Sequence, residues 1–300
     1  MRTLVTGGAG FIGRAVTERL LQAGHEVVCA DLVEHRRPGT ECVVGDLRDP
    51  DVVSKAVSPG IDAVVHLAAR TSVLESKSDP WGYYTSNVQM TALLLEASRS
   101  SGVRAFALAS TNAVAGAVER LPIDETSPLA PLTPYGATKA ASEMLCSAYG
   151  ASFGLAASYV RLTNVYGPGM TEKDSFVPRL MRAAAGGTGV EVYGDGSMLR
   201  DYVYISDVAD AFLLMIEKAH SGPVVIGSGH SIPVDELIAH ARKATGIDIP
   251  VEYGDSRPGE MPAVVVDIGR ARSLGFTPKV KMDEGMREAW ATFSARPPGS

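Results

Sequence analysis

Tyr135 and Lys139 have the residue types and the spacing for acid–base chemistry. They are four apart on a predicted helix, so both side chains lie on one face. A tyrosine has a reference pKa of about 10 and is a poor base at neutral pH, but a nearby ammonium group favours the phenolate. Thr111, at the end of the preceding predicted strand, can hydrogen-bond the oxygen that gives up its proton. The same pair is common on solvated helix faces, so its meaning depends on the surrounding elements.

A glycine-rich turn near the N-terminus supplies that context. It joins a predicted strand, Thr3 to Val5, to an amphipathic pattern over Arg14 to Gln22. Its spacing is Gly-x-x-Gly-x-x-Gly, and glycines alone would also fit an ordinary β–α turn without a ligand. In a dinucleotide site the first glycine permits a sharp turn, the second lets backbone approach a pyrophosphate, and the third lets the helix pack on the strand. The residues of this predicted phosphate site are Gly7, Gly10, Phe11, Ile12 and Gly13.

Carboxylates follow the next two predicted strands. The strand from His25 to Ala30 ends at Asp31, which is placed to accept both ribose hydroxyls of an adenosine. The strand from Glu41 to Val44 ends before Asp46, which could meet an adenine amino group or cap the helix that begins near Pro50. These features predict a dinucleotide cofactor. A nicotinamide would accept hydride from the carbon whose hydroxyl Tyr135 deprotonates.

Small and hydroxyl-bearing residues end the following strands. The strand Ala63 to Leu67 opens into Ala68 and Ala69, which leave room for a cofactor to cross the carboxyl end of the sheet. His66 is interpreted as a packed, hydrogen-bonded residue at the strand end. The strand Arg104 to Ala109 is followed by hydroxyl side chains at Ser110 and Thr111. A long helical pattern over Pro80 to Ser100 contains Asn87.

Strands and helices alternate through the first half, which predicts an α/β fold with a doubly wound, Rossmann-type parallel sheet. The alternation then loosens, and Ser206 is predicted to cap a helix that runs to about Ala219. We expect a dinucleotide-binding domain over residues 1–165 plus about 202–230. A smaller C-terminal α+β domain for the substrate would comprise residues 166–201 plus about 231–300.

Composition narrows the class of protein. The chain of 300 residues carries a net charge of −6, which argues against general nucleic-acid binding. Its apolar runs are too short to span a membrane, and a strand begins at once where a signal peptide would stand. Three widely spaced cysteines fit a reducing cytoplasm and no CxxC metal site, so no metal is predicted.

The order of these motifs resembles the extended short-chain dehydrogenase/reductases, and within them the NAD-dependent nucleotide-sugar epimerases and dehydratases. The resemblance covers nearly the whole chain and implies NAD, a nucleoside-diphosphate sugar substrate and a homodimer packed through the Pro80–Ser100 and Tyr135–Ser152 helices. The motifs that carry it are TGGAGFIG, Asp31, Gly45-Asp46-Leu47, HLAA, Asn87, the Ser110-Thr111 strand end, YGATK, the segment from Tyr193 to Tyr204 and Arg257-Pro258-Gly259-Glu260.

The resemblance also implies further site residues. Two arginines on separate loops, Arg200 and Arg257, suit a diphosphate because each guanidinium can grip a phosphate through its planar fork. Beyond the residues above, the implied cofactor contacts are Leu32, Asp46, Leu47, Leu67, Ala68, Ala69, Asn87, Ser110, Tyr135 and Lys139. The implied substrate contacts are Thr71, Thr111, Asn112, Asn164, Ser175, Val177, Tyr193, Arg200, Arg257 and Glu260.

The absence of two acidic residues favours one reaction of this family over another. Similar 4,6-dehydratases carry Thr-Asp-Glu where this chain has Thr111, Asn112 and Ala113. The resemblance therefore favours 4-epimerisation of a UDP-glucose/UDP-galactose type substrate, which needs only the tyrosine, the lysine and the hydroxyl. Departures at Ala115 (usually Tyr) and Thr71 (Lys in some galactose epimerases) leave the sugar open.

Two other functions stay open. One is a 4-ketoreductase that delivers hydride to a nucleotide 4-keto-deoxysugar. Asp31 would repel the 2′-phosphate of NADPH, although Arg36 and Arg37 could accommodate it. The other is a non-catalytic module that senses NAD.

Overall fold

The computed structural model describes residues 1–35, 37–118, 120–255 and 263–295. Seven parallel strands form the central sheet in the order β10-β6-β5-β4-β1-β2-β3. Since the strand order reverses between β1 and β4, the carboxyl ends of these two strands form a topological switch point, where such sheets bind ligands. The strands are β1 (Arg2–Thr6), β2 (Glu26–Asp31), β3 (Thr40–Val44), β4 (Ala63–His66), β5 (Ala105–Thr111), β6 (Ala156–Leu162), β7 (Asn164–Tyr166), β8 (Val190–Tyr193), β9 (Leu199–Tyr204), β10 (Gly222–Ile226), β11 (Ser231–Pro233) and β12 (Val251–Gly254).

Helices cover both faces of this sheet, which confirms the predicted doubly wound fold. The helices are α1 (Phe11–Gln22), α2 (Pro50–Ala56), α3 (Val73–Ser78), α4 (Pro80–Tyr84), α5 (Met90–Ser100), α6 (Pro134–Phe153), α7 (Phe176–Gly186), α8 (Ile205–Glu217), α9 (Val234–Thr245), α10 (Gly269–Ser273) and α11 (Met282–Ser294). A π-helical turn, Thr85–Gln89, joins α4 to α5, and a 3₁₀ turn, Asn112–Val114, follows β5. Within the described ranges, no helix is both long enough and apolar enough to cross a membrane.

Alternation along the strands builds two cores from one sheet. In β1, Val5 packs against α1 and α8, in a core that also contains Leu20 and Phe212. Its neighbour Leu4 points to the opposite face and packs with Phe106 and the helices α2 and α5. Both side chains are fully buried, as expected for a parallel sheet that is covered on both faces.

A third hydrophobic cluster holds the C-terminal part of the chain. It contains Leu180 of α7, Leu237 and Ile238 of α9, and Met286 of α11. Two small sheets, β11-β9-β7 and β12-β8, lie in this region. The exact boundaries of the two predicted domains stay a prediction.

Three local predictions need correction. The helix expected over Pro80 to Ser100 is interrupted by the π turn, which adds a residue at Asn87. The cap of α2 is Asp49, whose carboxylate accepts a hydrogen bond from the Asp51 N–H, because α2 begins at Pro50, well beyond Asp46. Ser206 does not cap α8: it lies inside the first turn, since α8 starts at Ile205 directly after β9.

Candidate active site

The glycine-rich turn has the tight geometry that its spacing predicted. Gly7 has φ of 71°, and a Cβ there would lie 2.8 Å from the Ala68 nitrogen. A Cβ at Gly13 would lie 2.0 Å from the Gly7 carbonyl oxygen, so only glycine permits this contact between turn and helix. Gly10 stands at the N-cap of α1 and provides no side-chain cap, and the first N–H groups of a helix lack internal acceptors. The turn therefore fits a pyrophosphate.

The two carboxylates of the predicted adenosine site have different surroundings. Asp31 accepts a hydrogen bond from the Ala9 N–H at 3.0 Å, which holds it beside the glycine turn at the end of β2. Asp46 forms hydrogen bonds through both carboxylate oxygens with the guanidinium of Arg48, at 2.9 and 3.0 Å from Nε. This pair holds the pKa of Asp46 below its usual range. Leu47 is buried, whereas Leu32 is exposed.

His66 has the structural role that the sequence indicated. Its Nδ1 lies 2.7 Å from the Thr6 hydroxyl, and its Nε2 lies 3.0 Å from the Thr91 hydroxyl. Burial lowers the pKa of His66 to about 3, so the imidazole is neutral. The interpretation as a packed strand-end residue is confirmed.

Asn87 connects the loop after β4 to α6. Its side-chain oxygen accepts from the Arg70 N–H at 2.9 Å, and its amide nitrogen donates to the Arg70 carbonyl and the Thr138 hydroxyl, each at 3.0 Å. The side chain is buried, and protein groups engage its amide hydrogens and its oxygen. A direct contact of Asn87 with the cofactor stays a prediction.

Tyr135, Lys139 and Thr111 meet at the carboxyl end of β5. The Lys139 ammonium donates to the carbonyl of Ala109 at 3.0 Å. Tyr135 stands in the first turn of α6, where the Thr133 hydroxyl caps the helix by accepting from the Gly136 N–H. Thr111 caps the following 3₁₀ turn by accepting from the Ala113 N–H at 3.2 Å. All three lie at the sheet edge where ligands bind.

In the protein alone, the pKa of Tyr135 is raised, whereas the sequence predicted a lowered pKa. Burial raises the pKa of Tyr135 to about 12, against a lowering effect of its hydrogen bond with Thr111 and with a further raising effect of Tyr83. Burial also lowers the pKa of Lys139 to about 8. In the protein alone both groups are desolvated and the Lys139 ammonium donates to the Ala109 carbonyl, so the acidification of the phenol by Lys139 stays a prediction for the site with its cofactor bound.

A cavity of about 490 Å³ begins beside these residues and extends to the C-terminal part of the chain. Ala113 and Thr133 lie on its wall, two residues from Thr111 and Tyr135 respectively. Four predicted substrate residues also line it: Asn164, Ser175, Tyr193 and Arg200. These positions make the cavity the candidate site for the nucleotide sugar.

The other predicted substrate residues are not among the described residues that line the cavity. Val177 is 2% exposed and belongs to the C-terminal core. Asn112 is 4% exposed, and neither atom of its amide has a hydrogen-bond partner in the described structure. Thr71 is exposed but is not among the described residues that line the cavity. Arg257 and Glu260 lie outside the described residues.

The polar end of the cavity is built on β7 and β9. The Asn164 amide donates to the Asp201 carbonyl at 2.9 Å, and Asn164 pairs with Tyr202 of β9, two residues beyond Arg200. The buried Asp201 carboxylate accepts from the Thr163 hydroxyl, the Ser228 N–H and hydroxyl, and the His230 N–H. Asp201 thereby fixes the strand that carries Arg200.

Sequence reasoning missed several residues of the wall. Asp174 and Arg179 line the cavity and form an ion pair of 2.7 Å, while Lys77 reaches it from α3. The only local signal was the five-residue spacing of Asp174 and Arg179 across the start of α7. Thr133 was detectable from Thr-Pro-Tyr, the pattern of an N-cap followed by proline at the first helical position.

Comparisons with known proteins agree with this geometry. The model of the NAD dependent epimerase/dehydratase family matches residues 3–227. A UDP-glucose 4-epimerase of Lacticaseibacillus casei is 34% identical, over 100% of this chain and 98% of its own length. The structure of the UDP-glucose 4-epimerase of Thermus thermophilus in complex with NAD has a TM-score of 0.90 and 35% identity, covering 98% of this chain and 99% of that one.

A dehydratase structure is similar as well. DesIV, a dTDP-glucose 4,6-dehydratase from Streptomyces venezuelae with NAD and TYD bound, has a TM-score of 0.89 and 30% identity, covering 98% of this chain and 97% of that one. The family description names NAD, which confirms the cofactor that the sequence predicted. This chain belongs to the NAD dependent epimerase/dehydratase family.

Proposed function

We infer that this protein inverts C4 of a nucleoside-diphosphate hexose of the UDP-glucose/UDP-galactose type by transient oxidation with bound NAD. The observation that carries this proposal is Ala113 on the cavity wall, two residues after Thr111. A methyl group stands at this position, where a carboxylate would assist loss of water. Tyr135, Lys139 and Thr111 remain as the reacting set.

The residues present fit a dinucleotide. The uncapped N-terminus of α1 and the Gly7–Gly13 contact would hold the pyrophosphate, and Asp31 would accept the ribose hydroxyls. When bound, NAD supplies a hydride acceptor that returns the hydride to the sugar carbon.

The chain's own groups handle the proton. Tyr135 removes the proton from the C4 hydroxyl and later returns it, while the Thr111 hydroxyl orients the same oxygen. Burial makes the phenolate unfavourable in the protein alone, since the pKa of Tyr135 is raised to about 12. Proton removal therefore requires positive charge next to the phenol. Lys139, four residues further along the same face of α6, would supply this positive charge.

Arg200 and Asn164 would bind the diphosphate at the far end of the cavity, and Tyr193 would contact the base. This arrangement anchors the nucleotide while the sugar lies against Ala113 and Thr133. A sugar that is held only through its diphosphate can turn, which exposes either face of C4 to the same cofactor.

The test is conversion of UDP-glucose and UDP-galactose by the purified protein with NAD. We expect the C4 epimers to interconvert without net accumulation of NADH, and Tyr135→Phe to abolish conversion. Stoichiometric consumption of NADH or NADPH would identify a ketoreductase, and a 4-keto-6-deoxy product would identify a dehydratase. An Asp31→Ala variant separates the cofactors, because it should weaken binding of NAD while improving the relative binding of NADP.

The homodimer and the cytoplasmic location also stay proposals. Exposed apolar side chains on α6, Met144 and Phe153, support packing of this helix on a second copy. Sedimentation of the wild type against Met144→Glu tests the dimer, since a buried charge at the interface should shift it toward monomer.

A further inference from the structure

A buried ion pair lies beneath the predicted catalytic group. Arg161 of β6 and Glu143 of α6 have side chains that are only 4% and 2% exposed. Two parallel hydrogen bonds join them, from Nη2 to Oε2 at 2.8 Å and from Nε to Oε1 at 3.1 Å. Neither residue is among those that line the cavity within the described chain, so the pair cannot touch a substrate there.

The pair is connected to the end of β5. The hydroxyl of Ser110 donates to the Glu143 carboxylate. Tyr135, Lys139 and Glu143 follow each other at four-residue intervals on α6, and they engage Thr111, the Ala109 carbonyl and Ser110 respectively. Glu143 therefore makes the third of three contacts between one helix face and three successive residues of β5.

The pair is also connected to the Pro122–Pro134 loop, which lies between β5 and α6 and contributes Leu132 and Thr133 to the cavity wall. The second guanidinium nitrogen of Arg161, Nη1, donates to the carbonyls of Asp124 and Glu125, at 3.5 and 3.4 Å. Glu125 in turn accepts from the Val225 N–H of β10 at 2.8 Å. Arg161 thus joins the loop, α6 and the sheet at one buried point.

Simple stabilisation does not account for this arrangement. The desolvation of a buried ion pair offsets much of its attraction, and apolar replacements of similar volume are often as stable. A fixed orientation is the specific property that charges with directional hydrogen bonds provide. Burial also lowers the pKa of Lys139, and the charge of Glu143 one turn away acts in the opposite direction.

Resting on the proposed function, we propose that Glu143 and Arg161 are positioning residues for the proton-transfer step. They hold the Thr111 end of β5, the Tyr135 end of α6 and the loop between them in one arrangement. The pair acts through Ser110 and the loop backbone, without contact to the reacting atoms.

The first test is Glu143→Gln, which keeps an acceptor for Ser110 but removes the charge. We expect kcat to fall roughly tenfold or more, while KM for the nucleotide sugar and Kd for NAD change by less than about threefold, as for groups that act on orientation alone. Glu143→Asp should recover part of kcat. The matched control is Asp207→Asn, since Asp207 is also a buried carboxylate that accepts two backbone N–H groups, and it is not among the described residues that line the cavity. An unchanged kcat in folded Glu143→Gln, or an equal loss in Asp207→Asn, would overturn the proposal.

Glu143→Gln leaves Arg161 buried and unpaired, so a second variant guards against unfolding. Glu143→Gln combined with Arg161→Met removes both charges. The thermal stability of this double variant should be closer to that of the wild type than the stability of Glu143→Gln alone. We expect its kcat to stay as low as that of the single variant, because the loop has lost its anchor. Recovery of wild-type kcat in this double variant would contradict the positioning role.

Hydrogen–deuterium exchange separates this proposal from the proposed function. Exchange of the peptides covering 105–118 and 122–134 should increase in Glu143→Gln and in the double variant, and it should stay unchanged in Asp207→Asn. If the wild type epimerises no nucleotide sugar, the proposed function fails, yet hydrogen–deuterium exchange still decides whether the pair positions these segments. Unchanged exchange in these peptides would refute the role of the pair directly.

Discussion

The two ends of the cavity differ in how far their charged and polar groups are buried. At the Tyr135 end, Tyr135 and Lys139 are 9% and 4% exposed, and burial moves the pKa of each away from its usual value. At the Arg200 end, groups are exposed and pair directly: the Arg179 and Asp174 side chains are 38% and 70% exposed, and Arg179 lowers the pKa of Asp174. We therefore expect substitutions at the Tyr135 end to alter kcat and substitutions at the Arg200 end to alter KM.

The largest effect is expected for Tyr135→Phe. Removing the phenol hydroxyl removes the base, so kcat should fall by roughly a thousandfold, within the range of general acid–base catalysis, at nearly constant KM. The control is Tyr83→Phe, because Tyr83 packs edge-on against Tyr135 and its hydroxyl donates to Glu75 at 3.3 Å. Steady-state kinetics measure both. If Tyr135→Phe kept more than a tenth of the wild-type activity, the assignment of Tyr135 as the base would be contradicted.

The next effect is a pH dependence that separates activity from stability. Burial lowers the pKa of Lys139 from 10.5 to about 8, so the ammonium is present below pH 8 and is lost above it. We expect kcat/KM to fall as pH rises through about 8. Over the window from 8 to 10.5 the unfolded chain binds more protons at this residue than the folded chain. The free energy of unfolding should therefore gain a contribution that increases with pH.

Both trends are measured on the wild type and on Lys139→Met. The variant should lack the decline of kcat/KM near pH 8 and the stability contribution across the same window. A decline that persists in Lys139→Met belongs to another group and would refute the assignment.

A smaller effect, confined to KM, is expected for Arg200→Ala. Loss of one charge-assisted hydrogen bond to a phosphate should raise KM roughly tenfold to a hundredfold, with kcat within about twofold. Arg287→Ala is the matched control, since Arg287 is an exposed arginine of α11 that is not among the described lining residues. A fall in kcat with constant KM would show that the two ends are not independent.

The smallest effect is expected for Tyr193→Phe. The Tyr193 hydroxyl donates to the Glu191 carboxylate at 2.6 Å, and both residues line the exposed end of the cavity. A hydrogen bond between exposed groups contributes little net free energy, so KM should change by less than about threefold. Tyr193→Ala removes the ring as well and should raise KM further. Equal KM values for the two variants would exclude a role of the ring in binding the base.

Local features were accessible to prediction where neighbouring residues set the chemistry. The Gly7–Gly13 spacing, the Tyr135–Lys139 pair and the strand-end position of His66 all depend on a few consecutive residues. Other features depend on a packing partner. Val177 lies in the first turn of α7 and faces the core, and the Asn87 amide contacts Arg70 and Thr138. Whether either residue contacts a ligand stays a prediction.

The sequence by itself determined the parallel sheet, the glycine turn between β1 and α1, and the candidate residues for proton transfer, because helix and strand periodicity and glycine geometry are short-range properties. Only the tertiary structure decided the protonation preferences of Tyr135 and Lys139, since desolvation depends on what covers a group. It also brought Arg161 to Glu143, 18 residues earlier on another element, and joined both to the loop at Asp124. Contacts of this kind arise from the packing of a strand, a helix and a loop together, which no single segment encodes.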